Sequence, residues 1–143
     1  MFLVRKATTD DAVAVRNFVM QSGLDVDGLP NIESFLIAES EKKDLLGVIG
    51  LETIGASGLL RALVLNSSES TSEGLLQFFD QVLLFAKKAN LDELFLTSKE
   101  ESFFFQVFGF STIPVEEVPK LVRENELFSN QSDQRVIMRK RLN

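Results

Sequence analysis

Apolar and polar positions alternate from Phe2 to Ala7, with Leu3 and Arg5 on one face and Val4 and Lys6 on the other, which predicts a first strand. Thr8-Thr9-Asp10-Asp11 then reads as a helix start, since Thr8 and Asp11 have capping-box spacing and acids suit the positive end of the helix dipole. Val15, Phe18, Val19 and Ser22 follow an i, i+3, i+4 rhythm and predict an amphipathic helix up to Gly23. The stretch from Leu24 to Ser34, with Gly28 and Pro30, reads as a loop with one short helical turn. Strands follow at Phe35 to Glu39, at Leu45 to Thr53 (with Gly47 and Gly50 inside) and at Leu59 to Leu65. Short turns join these three, so they are predicted to be antiparallel.

A polar stretch, Asn66 to Gly74, leads into a long helix that begins near Ser72 or Glu73. Leu75, Phe79, Val82, Ala86 and Ala89 form its stripe, widened by Phe78, Leu83 and Phe85, so more than one side should be buried. Leu94 to Thr97 is a fifth strand, and a helix-length crossover makes it a parallel neighbour of the fourth. Ser98 and Glu101 have capping-box spacing before a short aromatic helix that Gly109 stops. Phe110 to Ile113 is a sixth strand. Pro114 and Pro119 bracket a turn, with Pro119 suited to the first position of a short helix. Arg135 to Leu142 closes the chain as a strand. No repeat, linker or low-complexity segment interrupts this order.

Composition narrows the function. The chain has 143 residues, enough for one domain with a proper core, and a hydrophobic fraction of 45% excludes disorder. A formal net charge of −6 argues against nucleic acid or an anionic membrane as partner. The longest apolar run, Leu45 to Leu51, is far below the ~18 residues that cross a bilayer, and the N-terminus carries no signal peptide pattern. Absence of cysteine removes disulfides, thiolate metal sites and a cysteine nucleophile. Histidine, tryptophan and tyrosine are absent too. The expectation is a soluble cytoplasmic domain without metal, monomeric or homodimeric.

Strand four running through a polar loop into a long helix aims that helix's free N–H groups and positive dipole end at the loop, a geometry that suits phosphate. The whole order, together with SFLIAES…LLGVIGLE…SGLLRALVL and SFFFQVFGFSTIPVEEVPKLV…MRKRL, resembles the GCN5-related N-acetyltransferases (GNAT). Within that superfamily it looks like the arsenic-resistance type branch, which modifies small amino-acid-like substrates. Gly50-Leu51-Glu52, the Leu-Leu-Arg of strand four, Phe104 with Gly109-Phe110, and Ile113-Pro114…Val118-Pro119 carry the likeness. The resemblance implies an α/β (α+β) fold with a mixed, mainly antiparallel central sheet of about six to seven strands flanked by helices. Its order is β-α-β-β-β-α-β-α-β-β, and the acyl donor is acetyl-CoA.

The chain departs from the family at the phosphate loop. Where the family pattern is Arg/Gln-x-x-Gly-x-Gly/Ala, this sequence has Ser67-Ser68-Glu69-Ser70-Thr71-Ser72. Glycine lets backbone N–H groups approach phosphate without a Cβ in the way, and arginine grips it bidentately. Glu69 adds repulsion, since like charges ~4 Å apart cost roughly 1 kcal/mol in water and about 4 near a protein surface. The expectation is acetyl-CoA binding weakened by about tenfold or more. Glu69, Ser72 and Glu73 are also good helix N-terminal residues whatever the ligand.

The resemblance implies direct acyl transfer, with backbone N–H groups of strand four (Ala62, Leu63, Val64) stabilising the oxyanion. Cofactor contacts would come from those residues, from Ser68, Ser70, Thr71 and Ser72, and from Thr97, Ser98 and Phe105. Phe105 stands where the family often has a tyrosine acid, and it cannot donate a proton. With no histidine, Glu52 is the candidate base, or else a strand residue exposed to solvent. Arg61 either holds a substrate carboxylate or pairs with Glu52 across adjacent strands. Asp25 and Asp27 either meet a cationic amine or are solvated turn acids. Three functions stay open: an N-acetyltransferase for a small amino-acid-like amine, a degenerate member that binds a small ligand or CoA weakly without turnover, and a structural or regulatory module.

Overall fold

The computed structural model describes residues 3–23, 29–66, 72–98, 103–125 and 136–142. Strands are β1 (Leu3–Lys6), β2 (Phe35–Glu39), β3 (Leu45–Ile54), β4 (Ser57–Leu65), β5 (Glu93–Ser98), β6 (Ser111–Ile113) and β7 (Val136–Arg141). Helices are α1 (Ala12–Gln21), α2 (Ser72–Lys88), α3 (Phe103–Val107) and α4 (Lys120–Arg123), with single 3-10 turns at Thr9–Asp11, Ile32–Ser34 and Val115–Glu117. The seven strands lie in the order β1-β2-β3-β4-β5-β7-β6. Pairs β1–β2, β2–β3, β5–β7 and β6–β7 are antiparallel, and β4–β5 is parallel, as the helical crossover requires. This is the mixed, mainly antiparallel sheet expected from the sequence.

The chain divides into two compact units, Met1–Glu52 with Arg61–Phe85, and Thr53–Leu60 with Ala86–Asn143. The first has a core of Ala7, Val15, Val19, Phe35, Ile37, Val48 and Val64, with Phe18, Leu29, Ile32, Leu45 and Ala62 packed against it. Val15 and Val19 come from the predicted face of α1. The second unit is built on Leu59, Phe95, Ile113, Val118, Val122 and Ile137. There β4 and β5 run in register over Ser57↔Glu93, Gly58↔Leu94 and Leu59↔Phe95. Ser57, a buried polar residue, donates its hydroxyl to Glu93 Oε2 at 3.2 Å, so its burial leaves no bare hydroxyl.

Two helices end in the same way. At α3 the Phe110 N–H reaches Phe105 O and the Gly109 N–H reaches Gln106 O, with Gly109 at φ +92°. At α2 the Leu91 N–H reaches Ala86 O and the Asn90 N–H reaches Lys87 O, with Asn90 at φ +61°. Both are Schellman caps, in which a left-handed residue turns two orphan carbonyls back onto N–H donors. Gly109 thus stops its helix as predicted. Ala89, assigned to the buried stripe of α2, instead sits past the last helical residue and is exposed. The cap places it outside the helical period. Phe78, Phe79, Val82 and Ala86 are the fully buried face. Pro119 is likewise shifted: it is the residue before α4, at φ −56° and ψ 145°, and not its first helical position. Capping-box spacing at Ser98 and Glu101 falls partly outside the described residues.

One ion cluster ties the first helix to the sheet. Arg5 donates Nη1 and Nη2 to Asp11 Oδ2 and Oδ1, both at 2.9 Å, and Nε to Glu39 Oε1 at 2.9 Å. Asp11 Oδ2 also accepts the Thr8 N–H at 2.7 Å, and the expected capping box between Thr8 and Asp11 is formed. Hydrogen bonds from Arg5, then from the Thr8 backbone, hold the Asp11 carboxyl well below its usual value near 3.8. Because the folded-state value is depressed, this contribution is complete above the unfolded value and is lost as pH falls towards the folded one. Arg5 is 39% exposed, so solvent screens the pair. Asp11→Asn should therefore cost about 1 kcal/mol of unfolding free energy at neutral pH. Chemical denaturation from pH 7 to pH 2 should show the gap between mutant and parent closing below about pH 4.

Candidate functional site

β3 and β4 are joined by the two-residue turn Gly55-Ala56, with Gly55 at φ +63°. Neighbouring strands joined so tightly form an antiparallel hairpin. Within the first unit the hairpin is not regular. A Cβ added at Gly50 would meet Arg61 O at 3.1 Å and Arg61 Cγ at 3.5 Å, which sets Gly50 against Arg61. Further along, the Asn66 N–H bonds Leu46 O at 2.8 Å. Four steps along β3 are thus matched by five along β4. The extra residue is accounted for at Ala62, whose φ is +58°. An extra residue in left-handed conformation inside an antiparallel pair is a β-bulge. Alanine in that region is strained by its Cβ, and such strain persists only where the surroundings impose it.

Arg61 precedes the bulge, and its guanidinium Nη1 donates to Glu52 Oε1 at 2.8 Å. Their side chains are 18% and 21% exposed, intermediate between core and surface. Of the two sequence readings of Arg61, the structure shows the cross-strand pair with Glu52; Glu52 is half-buried and not simply solvated. Gly50 is needed beside them because a Cβ there would also meet Pro30 Cγ at 3.0 Å. A glycine inside a strand is the sequence signal for such a close approach. Ala62 gives no such signal, since alanine is not a residue chosen for positive φ.

The other candidate residues fall in three places. Ala62 and Leu63 are half-buried and Val64 is buried, on β4 in the first unit. Ser72 is the first residue of α2, a helix of 17 residues with Glu73 in its first turn. Asp25, Asp27, Ser68, Ser70 and Thr71 lie outside the described residues. In the second unit, Thr97 and Ser98 end β5, half-buried and in register with Ile137 and Val136 of β7. Phe105 on α3 is half-buried, its ring edge-on to Phe104 at 5.3 Å and to Phe110 at 5.9 Å between centroids. Among the described residues no group of three or more His, Cys, Asp or Glu could hold a metal ion. No helix among them is long and apolar enough to cross a membrane.

No protein-family model and no curated protein sequence matches the chain. Solved structures do. N-acetylglutamate synthase from Neisseria gonorrhoeae, in complex with coenzyme A and N-acetyl-glutamate, superposes with a TM-score of 0.82 at 20% identity over 100% of this chain. The chain spans 35% of that protein's length. Rv2747 from Mycobacterium tuberculosis, in complex with CoA, gives 0.78 at 18% identity, with 99% of each chain covered. An acetyltransferase of the GNAT family from Staphylococcus aureus Mu50 gives 0.77 at 15% identity, covering 100% of both. At these identities the likeness is one of fold, and the fold is that of the GCN5-related N-acetyltransferases.

The bulge makes its own forecast. Ala62→Gly removes the Cβ strain at φ +58° and should leave the melting temperature unchanged or raise it, despite glycine's larger unfolded-state entropy. Ala62→Val, with a branched Cβ at the same φ, should cost about 1–3 kcal/mol. Equal melting temperatures for the two variants would show that Ala62 is not held in the left-handed region.

Proposed function

We propose that this chain is an acetyl-CoA-dependent N-acetyltransferase that transfers an acyl group to the amine of a small amino-acid-like molecule by direct attack. The observation that carries the reading is the strained bulge at Ala62, which directly follows the paired Arg61 and interrupts the strand expected to serve the acyl group. Bulges are over-represented beside active sites, where they break a ladder and re-aim its groups. On this fold, CoA-bound N-acetylglutamate synthase and CoA-bound Rv2747 support the choice of acyl donor.

The residues present fit such a donor at both of its ends. Backbone groups of Ala62, Leu63 and Val64 suit an acyl and amide chain, because a bulge frees N–H and C=O groups from strand pairing. The N-terminus of α2, with Ser72 and the hydroxyls of Ser68, Ser70 and Thr71 before it, suits a pyrophosphate. Glu69 and the missing glycines and arginine weaken that grip. Acetyl-CoA, when bound, supplies a thioester that a neutral amine attacks, with a C–N bond forming as the C–S bond breaks. Glu52 takes the first proton from the substrate ammonium, directly or through water, and N–H groups of Ala62 to Val64 stabilise charge on the carbonyl oxygen. A leaving thiolate would take its proton from the attacking amine and not from a side chain at Phe105, which has none to give.

A second reading, the same fold binding a small ligand or CoA without turnover, is favoured by that phenylalanine and by the serine-rich loop. Thermal unfolding with millimolar acetyl-CoA, beside CoA alone, tests whether the cofactor is held. Ligand at ~100 times its dissociation constant adds about 2.7 kcal/mol, worth several degrees in a domain of this size. A shift of that order leaves turnover to be decided by assay with amine substrates, and no shift transfers the lead to the second reading. Glu52→Gln should then lower kcat by on the order of 100-fold while leaving acetyl-CoA affinity little changed. Equal kcat for mutant and parent would remove Glu52 from the reaction.

A further inference from the structure

Arg5, Arg61 and Arg139 each face a carboxylate, and the third is poorly met. Arg5 bonds Asp11 and Glu39 at 2.9 Å, and Arg61 bonds Glu52 at 2.8 Å. Arg139 has the least exposed side chain of the three, at 16%, yet its Nη1 stops 3.7 Å from Glu117 Oε1, beyond hydrogen-bond reach. Among the described residues no hydrogen bond satisfies this guanidinium. Register explains how it comes to be covered. Arg139 on β7 lies opposite Phe95 of β5 and Ser111 of β6, and directly paired residues project from one face of a sheet. On that face Phe95 and Ile137 are buried with Val118 and Val122, so the stem of Arg139 borders the second core. Glu117 sits in the single 3-10 turn before Val118 with its side chain 51% exposed, so little holds its carboxylate inward.

A largely buried cation with five N–H donors and no acceptor in reach is costly, and a group that brings acceptors offsets that cost. We infer that Arg139 and Ser111 form a binding site for a small oxyanion, a carboxylate or a phosphate group, in which Glu117 is a loosely held stand-in. Two oxygens of the ligand accept from the planar fork of Arg139. Ser111, exposed and beside Arg139 in register, donates its hydroxyl to the same ligand. Glu117 turns outward as the ligand enters, because two anions compete for one cation. The site lies wholly in the second unit, whereas Glu52 and Arg61 belong to the first. It therefore stands or falls independently of the acetyltransferase reading.

The test is a titration of the full chain with sodium phosphate and with sodium acetate, followed by proton–nitrogen NMR, with sodium chloride at matched ionic strength as control. The Arg139 Nε–H signal and the amide signals of Ser111 and Glu117 should shift saturably with phosphate or acetate and not with chloride. The tighter of the two anions identifies the ligand as a phosphate or a carboxylate compound. Arg139→Gln should abolish the response, and Arg139→Lys, which keeps the charge and loses the fork, should retain part of it. Glu117→Gln changes an exposed position and removes only the competing anion, so it should tighten binding by about threefold or more. A packing role for Arg139 alone would produce no such tightening. Absence of saturable shifts with both anions up to about 50 mM overturns the site, as does unchanged affinity in Glu117→Gln. Binding that survives Arg139→Gln belongs elsewhere, at the N-terminus of α2 for instance, and overturns it too.

Discussion

One extra residue in β4 is the constraint around which the candidate site is arranged. Without it, the β3–β4 hairpin would carry a regular ladder from the Gly55-Ala56 turn to Asn66, and its backbone groups would be consumed by pairing. With it, Arg61 keeps its place against Gly50, while the strand beyond gains one step and arrives at the Asn66–Leu46 bond. The strain is local, a single alanine at φ +58°. Strain of this kind is retained where the packing on either side over-determines it. Here the packing comes from Ala62 and Val64, which belong to the first core with Val48, Phe35 and Ile37.

Strands and helices were legible because their periods are clean. Phe35 to Glu39 falls where its apolar run puts it, and α2 starts at Ser72, where capping chemistry puts it. Parallel pairing of β4 with β5 follows from the length of the connection alone. Misplacements occurred at ends, where a cap and not a period decides. Ala89 continues the apolar rhythm of α2, but Asn90 at φ +61° has already closed the helix. Asparagine tolerates the left-handed region less well than glycine, so it is a fainter stop signal. Arg5 was read only as one face of β1; that it joins Asp11 to Glu39, the latter 34 residues from Arg5, is a long-range fact that no local pattern contains.

The site was legible in part for the same reason. Glu52 and Arg61 could be placed on adjacent strands from their distance to one tight turn, and the pair forms at 2.8 Å. The bulge beside them was not legible. It depends on how many residues each strand spends between two fixed contacts, and Ala62 has no side chain that advertises positive φ. The glycines in β3 were visible as exceptions to a strand pattern, but only the structure shows that Gly50 makes room for Pro30 and Arg61.

A salt bridge in a candidate active site is usually weighed as a contribution to stability, and a half-buried pair contributes little once desolvation is counted. The stronger consequence concerns position. The bond sets a carboxylate and a guanidinium side by side on adjacent strands, one residue before the left-handed Ala62, so both charges are presented from a stretch of backbone that packing against the first core over-determines.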